Sequence, residues 1–183
     1  MNFFSNTLKT KKYIKLLKSY KKSFSKEFIL KNYGLFIGDK SIYKNLKIFE
    51  ILKETKNIKG DIIEFGVWNG NNLIFIKKTI DYLKNKKKII GYDSFKGMPK
   101  SDENNRFIGD IQLLKHIIKF FNLKGIKIIK DNFLNIKKYD KSINKLSLIY
   151  IDCDLYHTTK IILNYCSKKL SKGGYIVFDE GNI

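Results

Sequence analysis

Proline occurs once in these 183 residues, at Pro99, arginine once, at Arg106, and cysteine twice. Each scarcity excludes something. With one proline and no Gly/Ser-rich run there is no low-complexity linker, and no internal repeat is visible, so the chain reads as one folded domain with an extension. Cys153 and Cys166 fall at a predicted strand end and in a predicted helix, without metal-ligand spacing. They read as two reduced cysteines of a cytosolic protein. No apolar run approaches the ~18–20 residues of a membrane-spanning helix. The opening Met1-Asn2-Phe3-Phe4 leads into basic, interrupted sequence unlike a secretory signal, so a cytoplasmic location is expected.

The shortage of arginine decides how the charge is read. Lysine and arginine number 37 against 17 acids, a net charge of +20. Such a balance ordinarily points to nucleic acid or anionic lipid. Base contacts favour the bidentate fork of arginine, which is nearly absent, and the lysines accompany Asn and Ile along the whole chain without forming a stripe. The charge therefore reads as the composition of an AT-rich coding sequence, and no nucleic-acid partner is expected.

What is present is a strand–helix alternation. Residues 8–31 form an amphipathic helical pattern with lysines between Tyr13, Ile14, Leu16, Leu17, Tyr20 and Phe24. It suits packing on its own domain or on a sister subunit, hence a homodimer through the N-terminal helices, better than lying on a membrane surface. Residues 32–40 read as a loop, and a second helix over 41–56 has Ser41 as its N-cap. From Gly60 onward, strands near 60–65, 88–93, 126–130, 146–151 and 175–178 alternate with helices over 71–84, 109–122 and 158–170. Gly173-Gly174 leads into the last strand, and a long polar loop covers 94–106. That alternation predicts an α/β fold with a parallel sheet and crossover helices. The expected division is residues 1–58 as a helical extension and 59–183 as the core.

The stretch that organises the chain is Gly60-Asp61-Ile62-Ile63-Glu64-Phe65-Gly66-Val67-Trp68-Asn69-Gly70-Asn71. Ile62, Ile63 and Phe65 form a short apolar run, as a parallel strand buried on both faces requires. Gly66 and Gly70 let a ligand approach the backbone, and the amides of the following helix offer donors. Glu64 is an acid inside an apolar strand end, where a ligand amine or hydroxyl would partner it. The dinucleotide spacing G-x-G-x-x-G is missing, which counts against an oxidoreductase of similar topology.

Further acids stand at strand ends. Asp93 closes the second strand, where an acid accepts hydrogen bonds from ribose hydroxyls in nucleoside-binding sheets. Asp131, past the third strand, is placed for the adenine side of the same crevice or as a plain turn acid. Asp152 and Asp154 follow the fourth strand, and Asp179 and Glu180 end the fifth. Neighbouring carboxylates repel unless a cation or a proton intervenes. A hard divalent cation such as magnesium, which prefers oxygen ligands, is the economical answer. Asp152, Asp179 and Glu180 are its expected ligands, because strands four and five are adjacent in such sheets.

Glu64-Phe65-Gly66-Val67-Trp68-Asn69-Gly70 resembles the first S-adenosylmethionine motif of class I methyltransferases, in the version of the macrocin O-methyltransferase family. Asp93-Ser94-Phe95-Lys96-Gly97-Met98-Pro99 is similar to that family's Asp-Ser-Phe-Glu-Gly-Leu-Pro. Asp152-Cys153-Asp154-Leu155-Tyr156 followed by Asp179-Glu180 resembles its metal half, with Asp-Glu in place of the commoner acid pair. The resemblance covers residues 61–180 in order and implies a Rossmann-like class I methyltransferase sheet, mostly parallel. The family continues past the acid pair with a helix and two more strands, which are absent here, so a truncated, catalytically impaired member that still binds donor is the alternative. The implied activity is methylation of a sugar or glycosylated metabolite at a hydroxyl, with S-adenosylmethionine as donor. Glu64, Gly66, Val67, Trp68, Asn69, Gly70, Asp93, Ser94, Phe95, Asp131 and Asp152 would line the donor site. By analogy with the family's second aspartate, Asp154 would be the base, pointing from the strand end the same way as Asp152. His157 is expected to be incidental, and Trp68 to shape the pocket wall. An RNA methyltransferase is disfavoured by the lack of an Asn-Pro-Pro-Tyr-like motif.

Overall fold

The computed structural model describes residue 15 and residues 25–35, 39–98 and 107–179. The chain parts into two compact units between Lys47 and Ile48. In the first, Ser25 is extended (φ −66°, ψ 155°) and its hydroxyl accepts the Phe28 N–H at 3.0 Å, starting helix α1, Lys26–Lys31. A serine that captures its own downstream amide favours a cap over a helix interior. The predicted helix over 8–31 is therefore broken at Ser25; its residues before Ser25, apart from helical Lys15, lie outside the described residues. Helix α2, Asp39–Glu54, starts ahead of Ser41, which lies inside the helix and does not cap it. The loop expected over 32–40 holds a 3-10 turn at Tyr33–Leu35.

The second unit carries the sheet. Strand β1 is Asp61–Phe65, followed by helix α3, Asn71–Tyr82, and strand β2, Ile89–Asp93. Helix α4, Ile111–Phe120, leads to β3, Ile126–Lys130. A 3-10 segment at Phe133–Tyr139 precedes β4, Leu146–Ile151, and helix α5, Tyr156–Cys166, precedes β5, Leu170–Phe178. The order across the sheet is β3-β2-β1-β4-β5, and every pairing is parallel. The chain winds outward from β1 in one direction and returns through β4 in the other. The crevice outside the carboxyl ends of β1 and β4 is thus the topological switch point where such sheets bind ligands.

Both faces of the central strands are covered, which is why β2 and β4 read as mainly apolar runs. Ile62, Leu148 and Tyr150 pack on one side with Ile48, Leu52, Leu73, Ile76 and Leu114. Ile63, Phe65, Ile90, Tyr92 and Ile149 pack on the other with Ile136, Ile162 and Cys166. Alternation along β1 puts Glu64 on the first face, with Ile62.

β5 departs from expectation. It begins at Leu170, five residues before the predicted start, because Gly173-Gly174 lies within the strand as an irregularity and does not end it. Gly173 has φ +81°, and a Cβ on Gly174 would sit 2.9 Å from the Ser147 carbonyl oxygen, so the bulge requires these two glycines.

Candidate functional site

The carboxyl edge of the sheet presents a row of acids. Past the regular ladder, the Asp131 N–H donates to the Asp93 carbonyl at 3.1 Å, and the Gly66 N–H to the Tyr92 carbonyl at 3.1 Å. The Asp152 N–H donates to the Phe65 carbonyl at 2.8 Å, and the Asp179 N–H to the Ile151 carbonyl at 3.0 Å. Parallel register therefore delivers Asp131, Asp93, Gly66, Asp152 and Asp179, in that order across the sheet, to one edge. Gly66 is the gap in the row. Its φ is +84°, and a Cβ there would lie 1.7 Å from the Asp152 carbonyl oxygen, so no side chain fits.

Asp93 organises the turn. Its Oδ2 accepts the N–H groups of Val67 (2.7 Å) and Trp68 (2.8 Å), and its Oδ1 accepts the Phe95 N–H at 2.7 Å. The amides after Gly66 thus face the acid of the neighbouring strand. Asn69 Oδ1 accepts the Asp110 N–H at 2.9 Å, while Asp110 caps α4 by accepting from Gln112 and Leu113. A Cβ on Gly109 would meet the Trp68 carbonyl at 2.5 Å, and Trp68 stands edge-on to Phe107. Gly70 (φ +83°) leaves room for Leu114 beneath it. The glycine turn is clamped by β2 on one side and the start of α4 on the other. Phe95 is buried in this seam and Ser94 half-buried; the Ser94 hydroxyl accepts the Lys96 N–H at 3.1 Å.

Glu64 is 1% exposed, and its Oε1 accepts Asn72 Nδ2 at 3.1 Å. Asn72, in the first turn of α3, is itself buried, and its Oδ1 accepts no hydrogen bond from a described residue. Tyr150 is level with Glu64 on the adjacent strand, and its hydroxyl donates to Asp179 Oδ1. Burial, then that bond, then the charges of Asp179, Asp152 and Glu64 raise the Tyr150 phenol well above its ordinary pKa. Asn72 and Tyr150 were not anticipated from the sequence. The available signal was spacing: Tyr150 lies two residues before Asp152, and Asn72 opens the helix that the glycine turn leads into.

Asp131 is engaged by its own turn. Its Oδ1 accepts from Asn132 N–H (2.7 Å) and Asn135 Nδ2 (2.8 Å), and its Oδ2 accepts from the Tyr139 hydroxyl (2.8 Å). The Asn135 and Tyr139 bonds, followed by the Asn132 amide, hold its pKa below the usual carboxylate range. Asp152 is half-buried and Asp154 exposed. Asp154 has φ +55°, outside the extended region, so strand alternation does not carry past Ile151 to Asp154. Its direction is set by the turn, closed by the Leu155 N–H on the Cys153 carbonyl at 2.6 Å. Burial, then Asp152, Asp93 and Asp154, push the Cys153 thiol up. Both Cys153 and Cys166 are free thiols. His157 is exposed.

The acids expected to hold a cation offer only oxygen. Asp152 and Asp179 lie on adjacent strand ends; Glu180 lies outside the described residues. Among the described residues, no group of three His, Cys, Asp or Glu is arranged to hold a metal ion. No described helix is long and apolar enough to cross a membrane.

Comparison with known proteins gives a consistent answer. Residues 35–183 match the model of the macrocin-O-methyltransferase family (TylF). Demethyldecarbamoylnovobiocin O-methyltransferase of Streptomyces niveus is 26% identical over 141 residues, covering 68% of this chain and 53% of that protein. Mycinamicin III 3''-O-methyltransferase of Micromonospora griseorubida is 23% identical over 141 residues, covering 67% of this chain and 56% of that enzyme. Among solved structures, the calicheamicin methyltransferase CalS11 superposes with a TM-score of 0.74 at 21% identity, over 97% of this chain and 79% of that one. The O-methyltransferase NovP gives 0.64 at 23% identity, over 78% and 65%. These two likenesses are of fold, a Rossmann-like methyltransferase sheet. The chain spans about half the length of the curated relatives it matches.

Proposed function

This chain belongs to the macrocin O-methyltransferase family, and on that premise we propose that it takes part in methyl transfer from S-adenosylmethionine to a hydroxyl of a sugar or glycosylated metabolite. The observation that carries the proposal is the glycine turn at the switch point. It is pinned by Asp93 and flanked by the buried Glu64–Asn72 pair.

In this reading Glu64 and Asn72 take the amino-acid end of the donor, since a bound ammonium donates to the Asn72 Oδ1 that no described residue reaches. Asp93 spends three of its four acceptor positions on amides and keeps one, on Oδ1, for a ribose hydroxyl. Gly66, Val67, Trp68, Asn69 and Gly70 bring backbone close to the ligand, and Ser94 and Phe95 continue that wall. Asp131 borders the adenine side while serving its own turn. Asp152, Asp179 and Glu180 would hold a magnesium-like cation, with Tyr150 orienting Asp179. When bound, the donor supplies an electrophilic methyl group, and the cation lowers the pKa of an acceptor hydroxyl. Asp154, exposed two residues past Asp152, takes the hydroxyl proton. The residues chiefly position, and positioning is where most of such a rate gain arises.

Donor binding without turnover is the second reading, and the same experiment decides it. Incubation with methyl-labelled donor and a panel of nucleotide-linked sugars and glycosides, with magnesium and then with chelator, separates the readings. Label on a sugar hydroxyl, lost on chelation, is expected. Transfer that chelation leaves intact removes the cation from the proposal, and donor binding with no transfer to any acceptor favours the second reading.

A further inference from the structure

The opposite edge of the sheet holds a cavity of about 580 Å³, at the amino ends of β1, β2 and β4. Three connections meet there: the segment between α2 and β1, the turn from α3 into β2, and the residues before β4. Together they contribute Lys56, Lys59, Lys84, Lys86, Lys87 and Lys145 to its lining. Half of the lining residues are lysine, against 37 lysines and arginines in 183 residues of the whole chain. Lys84, Lys86 and Lys87 come from one lysine-rich turn, and the parallel topology brings Lys56, Lys59 and Lys145 from two other connections to the same edge.

One lysine builds the floor. Lys87 Nζ donates to the carbonyls of Ile58 and Gly60, and its backbone N–H donates to Asn85 Oδ1 at 3.1 Å. Burial, partly offset by Asp61, lowers its pKa. The other five lysines are exposed, and none has an ion-pair partner among the described residues. Asp61 is the one acid of the lining, and its Oδ1 is engaged by the Lys88 N–H at 3.0 Å. Asn85 adds an independent observation: its Nδ2 is buried and donates to no described group. Like charges held around one concavity raise its potential, and an anion entering it relieves their mutual repulsion. An ammonium is a compact point charge with three donors, and several together suit an oligophosphate better than a single planar carboxylate.

We propose that this lysine-lined cavity is a binding site for an oligophosphate group, separate from the acid edge at the other end of the strands. Lys56, Lys59, Lys84, Lys86 and Lys145 supply the charge, and Asn85 Nδ2 supplies a neutral donor. The chemistry is met either by a free oligophosphate or by the diphosphate of a nucleotide.

The test is calorimetric titration of the full chain with inorganic tripolyphosphate and, in a second arm, with ADP. The cavity variant is K59Q/K84Q/K145Q, and the charge-matched control is K115Q/K119Q/K127Q, none of which lines the cavity. Saturable binding of one tripolyphosphate is expected. It should weaken at least tenfold in the cavity variant and less than twofold in the control, with both variants melting as the wild type does. ADP binding that falls in the same variant identifies the nucleotide diphosphate as the ligand; tripolyphosphate binding alone identifies the free anion. No saturable binding of either probe, or equal weakening by the two triple variants, overturns the proposal, because net charge alone would then account for the effect.

Discussion

The carboxylate of Asp93 holds the Val67 and Trp68 amides with one oxygen and the Phe95 amide with the other. Removing it strands three donors at the turn that faces the crevice. A hydrogen bond to a charged group contributes roughly 1.5–3 kcal/mol, and water recovers part of that at a half-exposed site. Asp93→Ala should therefore lower stability by about 2–4 kcal/mol and weaken S-adenosylhomocysteine about tenfold or more. Urea unfolding and calorimetry read the two effects separately, and a folded variant unchanged in both would contradict the role. Gly66→Ala is harsher, because its Cβ meets the Asp152 carbonyl at 1.7 Å in a left-handed conformation. It should cost at least ~2–3 kcal/mol by strain and separation of β1 from β4; an unshifted urea midpoint would refute the close approach. Asp131 gives a pH test. Its folded pKa lies below its ordinary 3.8, chiefly because Asn135 and Tyr139 donate to it, so the folded state binds fewer protons than the unfolded chain. Its contribution is complete above that ordinary value and is lost as the pH falls through the depressed one. Melting followed down to about pH 3 should fall more steeply below about pH 4 in the wild type than in Asp131→Asn; parallel curves would deny the shift. Asp93 was legible in the sequence as the acid that closes β2, though not its hold on the Val67 and Trp68 amides. Asn72 and Tyr150 were not, because an Asn in a helix and a Tyr in a strand are ordinary until the fold sets one against Glu64 and the other against Asp179.

Helix α4 shows how an element positions the turn. Its buried Leu114 fills the space that a Gly70 side chain would take, and Asp110, at its N-cap, is tied to Asn69. Leu114→Ala should cost about 2–5 kcal/mol as a core truncation, and donor affinity should fall with it because the turn loses its support. Loss of stability with full affinity would show that the turn stands without α4. Among the elements, β3 and β4 were readable to the residue: β4 is a fully buried apolar run, and edge strand β3 keeps its isoleucines between exposed lysines, both bounded by polar turns. The start of β5 was not, because a Gly-Gly pair looks like punctuation and only the pairing with β4 reveals a bulge. The break at Ser25 was hidden for the converse reason: apolar spacing continued through a residue whose hydroxyl caps the start of a new helix.

At the scale of the molecule, the parallel sense followed from the alternation of apolar runs with amphipathic helices, and the expected adjacency of β4 and β5 holds; the full order across the sheet comes from the structure. The lysine-lined edge was not legible, because Lys56, Lys59 and Lys145 are far in sequence from Lys84, Lys86 and Lys87 and only the topology joins them. The account's central claim is that the carboxyl edge at β1 and β2 is a site for S-adenosylmethionine and not for a dinucleotide. Calorimetric titration of the full chain with S-adenosylhomocysteine and, separately, with NADH tests it most directly. The account predicts one saturable S-adenosylhomocysteine site, weakened by Asp93→Ala, with no heat of binding from NADH at this edge. Saturable NADH binding that Asp93→Ala abolishes, with none for S-adenosylhomocysteine, would contradict it.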